Sequence, residues 1–99
     1  MKYLINIFKV FRIRLYCIRY NIRDYVINDD YSIDVNESVM LSGKFYKLPL
    51  NFRNVNGSFT STNNGLRTLK GCPRVIEGFF NISWNNISEF DYFPIKIDG

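Results

Sequence analysis

Asp29 and Asp30 are adjacent carboxylates, and in that arrangement two acids can share a proton or hold a hard cation. The surrounding spacing argues against the cation: no glycine sits at the turn position and no glutamate closes a twelve-residue loop. Carboxylates that cap the turn Asp29-Asp30-Tyr31 are the simpler reading. Cys17 and Cys72 stand far apart in the chain, and there is no histidine to act as general base or metal ligand. Neither a glycine-rich phosphate loop nor a nucleophile elbow occurs. The expectation is a protein without catalytic residues, metal or cofactor, hence no enzyme.

Binding chemistry is better represented. The net charge of +4 hides a block pattern. Residues 1–23 hold Lys2, Lys9, Arg12, Arg14, Arg19 and Arg23 and no acid; residues 24–37 hold five acids and no base. Six bases follow without an acid, Arg53, Arg67, Lys70 and Arg74 among them, and the tail from Glu77 is acidic. Blocks of opposite sign can neutralise one another in a compact fold, so the positive balance alone is weak support for a polyanionic partner. Phe79 and Trp84 supply the aromatic bulk expected of interface anchors.

Ninety-nine residues with 46% hydrophobic and 17% aromatic content suit one packed domain, 1–99. The heavy use of Ile, Asn, Lys, Tyr and Phe, with no Ala or Gln, is the mark of an AT-rich genome. Residues 1–24 place Leu4, Phe8, Phe11, Leu15, Ile18 and Ile22 at steps of four and three, one face of a basic amphipathic helix. Three readings stand. A transmembrane span would put Lys9, Arg12 and Arg14 near mid-bilayer, at about 2.5–3.5 kcal/mol each. A helix lying on a membrane surface fits the basic band. A cap docked over the end of the following structure requires least. The bases run through the apolar stretch instead of preceding it, so no signal peptide is recognisable, and a cytoplasmic protein with reduced thiols is expected. Residues 25–37 read as a β-hairpin lead-in, Tyr25–Asn28 and Ile33–Val35 around the acidic turn.

Residues 38–95 repeat. At an offset of 21, Gly57 falls on Gly78, Phe59 on Phe80, Asn64 on Asn85, Leu66 on Ile87, Leu69 on Phe90 and Pro73 on Pro94. The unit Phe59-x-Ser61-x-x-Asn64-x-Leu66-x-x-Leu69 fits the pattern L-x-L-x-x-N-x-L-x-x-L. Its alternating start lies on the inward face of a short strand, and the Asn side chain satisfies backbone groups freed by the sharp bend that follows. Gly57 and Gly78 mark a return where positive φ or close approach is needed. About 2.5 such repeats, then a tail at 96–99, predict an α+β fold: a short leucine-rich-repeat-like β-solenoid capped by the helix and hairpin.

Residues 25–95 resemble a family of small leucine-rich-type repeat proteins of bacteriophages and large DNA viruses. The segment Leu66-Arg-Thr-Leu69-Lys-Gly71-Cys72-Pro73-Arg-Val-Ile76-Glu-Gly78-Phe-Phe80 carries the likeness. Trp84 stands where the family has Asn, and Asp91-Tyr92-Phe93 replaces its Gly-Cys, as though the last repeat were adapted to end the stack. The resemblance implies the fold and a viral origin, and supplies no catalytic residues.

On this register the columns facing away from the core include Met40, Thr60 and Asn81, then Thr62 and Ser83, with Phe79 and Trp84 at the aromatic end. Trp84 either anchors a partner or folds over the end against Phe90 or Phe93. Arg53, Arg67, Lys70 and Arg74 fall on turns and could line one basic edge, or be solvated loop charges. The leading expectation is a phage-encoded protein in the cytoplasm of an infected bacterium, docking onto a host protein and inhibiting a defence complex (in the manner of an anti-CRISPR) or a regulatory one. A nucleic-acid or nucleoprotein binder using the basic residues is the alternative, and a structural or membrane-peripheral module the third.

Overall fold

The computed structural model describes residues 6–99; Lys2 and Leu4 of the N-terminal pattern lie outside them. One helix, α1 (Ile7–Arg19), precedes eight short strands: β1 (Tyr25–Ile27), β2 (Ile33–Val35), β3 (Val39–Leu41), β4 (Phe52–Val55), β5 (Phe59–Ser61), β6 (Val75–Ile76), β7 (Phe80–Asn81) and β8 (Lys96–Ile97). The chain coils through roughly three turns, alternating between two parallel stacks. One sheet runs β1-β2-β4-β6-β8 and the other β3-β5-β7. Only β1 is antiparallel, pairing Tyr25 with Val35 and Ile27 with Ile33 across the acidic turn. The fold is an α+β solenoid with a helical cap.

The 21-residue period sets the register directly. Phe59 pairs with Phe80 and Thr60 with Asn81; Asn54 pairs with Val75, and Val75 with Lys96. The core lies between the sheets. Ile33, Val35, Phe52, Val55 and Ile76 face Val39, Leu41 and Phe59, and the loops close the coil with Leu48, Leu50, Leu66 and Leu69. Residues 96–99, read from sequence as a tail, begin another coil through β8, and Gly99 stacks its N–H on the Gly78 carbonyl at 2.8 Å.

The helix differs from its sequence reading in length and in the face it buries. Asn6 caps its start by accepting from the Lys9 N–H at 3.1 Å. It ends at Arg19, where Asn21 takes a left-handed conformation (φ 58). The Ile22 N–H then reaches back to the Cys17 carbonyl at 2.8 Å and the Asn21 N–H to Ile18, a helix-ending pair of bonds that drops Ile22 into the core. Arg23 therefore lies beyond the helix, not in its basic band. Cys17 is buried with Ile13, Tyr16 and Tyr20 packed beside it, whereas Phe8, Phe11, Leu15 and Ile18 of the expected docking stripe are exposed. The reason is size: a flank of Ile, Tyr and Cys meets Phe45 and the first coil, Tyr20 standing edge-on to Phe45 at 6.2 Å.

Candidate functional site

The turn residues read from the repeat are structural. The Asn64 side-chain amide donates to the Leu41 carbonyl at 2.9 Å and to Ser61 Oγ, while its oxygen accepts from the Gly43 N–H at 3.0 Å. Asn85 repeats the arrangement one coil on, donating to the Ser61 and Ile82 carbonyls and accepting from the N–H groups of Asn64 and Leu66. Each Asn thus ties its own coil to the preceding one. Gly57 and Gly78 need close approach, not positive φ. A Cβ on Gly57 would lie 2.6 Å from the Ser38 nitrogen, and one on Gly78 2.8 Å from the Ser58 nitrogen. Ser38 and Ser58 form a ladder there, accepting from the N–H of Ser58 and of Phe79.

The outward column exists as read: Met40 pairs with Thr60 and Thr60 with Asn81, all pointing away from the core. Its chemistry is modest. Thr60 and Thr62 are half-buried, and Asn81 accepts from both the N–H and hydroxyl of Ser83, so these two polar groups satisfy each other. On this face the apolar exposure is at Met40 and Phe79.

The aromatic end has the most pronounced exposure. Phe52, Phe59 and Phe80 form a row of ring contacts along the stack, continued by Phe93 at 5.6 Å from Phe80 and by Phe90 at 5.9 Å from Phe93. Burial falls along that row from Phe59, fully enclosed, to Phe90, 73% exposed. Trp84 is outside it. It is 83% exposed and does not stack on Phe90 or Phe93. Its backbone is left-handed (φ 61), as is Asn63 one coil earlier (φ 55), and Tyr92 (φ 68) repeats the conformation of Gly71 (φ 94). Bulky residues in that region are strained by about 1–2 kcal/mol, and the turn geometry inherited from the preceding coil holds them there. Tyr92, Phe93 and Ile95 are also exposed at this end; Ile95 was not singled out from the sequence, whereas Tyr92 and Phe93 were. The signal for those two was the replacement of Gly-Cys by Tyr-Phe.

The basic residues do not form one edge. Arg53 makes a two-pronged ion pair with Asp34, its Nε donating to Oδ1 at 3.0 Å, and this hydrogen bonding holds the Asp34 carboxyl below the usual carboxylate range. Arg74 follows Arg53 along the same sheet, its N–H on the Arg53 carbonyl. Arg67 and Lys70 lie elsewhere, in a groove of about 900 Å³ between α1 and the loops. There they meet Arg12 of the N-terminal band, Lys47 and the rings of Tyr16 and Tyr46, and no acid lines the groove. Arg67 lies over the Tyr46 ring at 4.5 Å. Lys47, Tyr46 and Tyr16 were invisible to the sequence reading because helix and loop are brought together only by folding. The rest of the band disperses: Lys9 sits over Tyr31, Arg19 beside Tyr20, and Arg23 bonds Asn21.

The acids serve turns. Asp30 accepts from the Ser32 N–H and hydroxyl, which lower its pKa, and Glu37 accepts from the N–H groups of Asp24 and Arg23, which lower its own. Cys17 and Cys72 are free and buried; desolvation pushes their thiols up to about 11 and about 12, far from nucleophilic range. No family model, curated protein or solved structure matches this chain.

Proposed function

We propose that the protein is a non-enzymatic binding module that docks onto another protein through the open C-terminal end of its stack. The observation that carries this is Trp84, held 83% exposed by a left-handed turn in the last coil, the coil that also exposes Phe90, Tyr92 and Ile95. Large aromatics in water are costly to maintain, and at interfaces they supply the dominant contacts. β7 and β8 also end their sheets here, so a partner can meet unpaired strand edges as well as rings. The resemblance to viral repeat proteins makes a host protein the expected partner, with inhibition of a defence or regulatory complex as the consequence of occupying its surface. Capture from lysate of a bacterial host with tagged wild-type chain, against Trp84→Ala and Met40→Ala, tests it. A stoichiometric protein should be retained by wild type and Met40→Ala and lost with Trp84→Ala. Equal retention by all three, or none by any, removes the reading.

A second reading draws on the groove. Four bases interleaved with two tyrosines, and no acid, is the chemistry that holds single-stranded nucleic acid by its phosphates and bases. About four phosphate contacts predict that log affinity for an oligonucleotide falls with log salt at a slope of roughly −3. A flat salt dependence counts against it.

A further inference from the structure

Helix α1 carries two apolar faces, and the stack uses one. At about 100° per residue, Ile13, Tyr16, Cys17 and Tyr20 fall on one arc, and it is this arc that meets the core. Ile7, Phe8, Phe11, Leu15 and Ile18 fall on the opposite arc, roughly 100° wide. All five are exposed, from 50% for Leu15 to 78% for Phe8. The same wheel sets Arg12 and Arg19 along one margin of this outer face and Arg14 along the other. Residues 1–23 contain no acid.

We propose that the outer face of α1 is a docking surface for an anionic phospholipid bilayer, the helix lying in the plane of the interface. Five large apolar side chains enter the boundary between headgroups and acyl chains, and Arg12 and Arg19 along one margin extend to the phosphates. Arg14 on the other margin donates to the Tyr25 hydroxyl at 3.2 Å. The helix lies on the bilayer and does not cross it. Thirteen residues span about 20 Å against a hydrocarbon core of about 30 Å, and among the described residues no helix is long and apolar enough to cross. The charge pattern selects lipid over a second copy of this helix. Two such faces packed together would bring arginine margins against arginine margins, with no acid on either helix to offset them. An anionic bilayer offers an apolar interior and a negative rim together, with no demand for shape complementarity.

Flotation of the full chain with phosphatidylcholine vesicles, with and without phosphatidylserine, tests this. Wild type should float with the phosphatidylserine vesicles and much less with the neutral ones. Arg12→Gln with Arg19→Gln should weaken partitioning about twenty-five-fold, each arginine near the surface contributing about a factor of five. Phe8→Ser with Phe11→Ser should weaken it at least about tenfold. Every substituted side chain is exposed, so circular dichroism should be unchanged. Trp84→Ala should float as wild type does, which separates this surface from the docking end. Wild type remaining at the bottom with both vesicles overturns the proposal, as does flotation insensitive to Phe8→Ser/Phe11→Ser. A dimer in size-exclusion chromatography that the same pair dissolves overturns it too, by assigning the face to a second copy.

Discussion

At its N-terminal end the stack is closed by α1, which inserts Cys17, and by antiparallel β1, which ends one sheet; Ile22 follows Cys17 into the core from the turn beyond the helix. At its C-terminal end β7 and β8 have a strand neighbour on one side, and the row of rings that begins at Phe52 runs out through Phe93 to exposed Phe90. The same repeat lies at both ends, so the contrast measures what a neighbour contributes. A coil in this fold cannot bury its apolar face alone. Where a coil lies on each side, Asn64 is buried; where only one does, the matching Asn85 is half-exposed and its aromatic neighbours stand in water.

Paired substitutions at matched positions sharpen or break that contrast. Phe59→Ala should lower unfolding free energy by about 3–5 kcal/mol in denaturant titration, while Phe93→Ala at the open end should cost about 1 kcal/mol. Equal losses would mean that the end is covered in solution. Asn64→Ala strands the Leu41 carbonyl and the Ser61 hydroxyl away from water and should cost about 3 kcal/mol. Asn85→Ala, whose bonds are only part-buried, should cost about 1–2 kcal/mol.

The thiols extend the comparison to pH. Burial raises Cys17 to about 11 and Cys72 to about 12, above the ordinary value of 9.0. A raised thiol contributes its full stability below pH 9 and loses it as pH climbs through the folded value, because the unfolded chain ionises first. Stability should therefore fall above pH 9, by about 1 kcal/mol at pH 10 for Cys72, and Cys72→Ala should flatten that slope. A slope unchanged in Cys72→Ala would place the loss elsewhere. The smallest effect expected is a gain: Tyr92→Gly restores the residue type found at Gly71 and relieves a left-handed tyrosine. It should stabilise by about 0.5–1 kcal/mol in thermal melts while weakening capture of a protein partner.

Much of the stack was legible because its signals repeat. An Asn that satisfies the bend, a Gly that permits two coils to touch and an alternating apolar pair each answer a local backbone demand, and the offset of 21 states which residues become neighbours. The hairpin was legible for the same reason, its acids serving the turn between two short strands. The functional surfaces were less so. From sequence, Trp84 over Phe90 was as reasonable as Trp84 in solvent, since both fit an aromatic terminal repeat.

The sequence by itself thus determined the period, the hairpin and one strand per repeat, the Asn role and the presence of a basic helix before the stack, while the second parallel ladder, β4-β6-β8, emerged only in the fold. Tertiary structure alone decided which face of that helix docks, because α1 is apolar on two sides and shape against Phe45 and the first coil breaks the tie. It also decided that Arg53 would be neutralised by Asp34 while Arg12, Lys47, Arg67 and Lys70 share a groove. Those partners lie far apart in the chain, on elements whose relative placement follows from packing and leaves no periodic trace in the residues themselves.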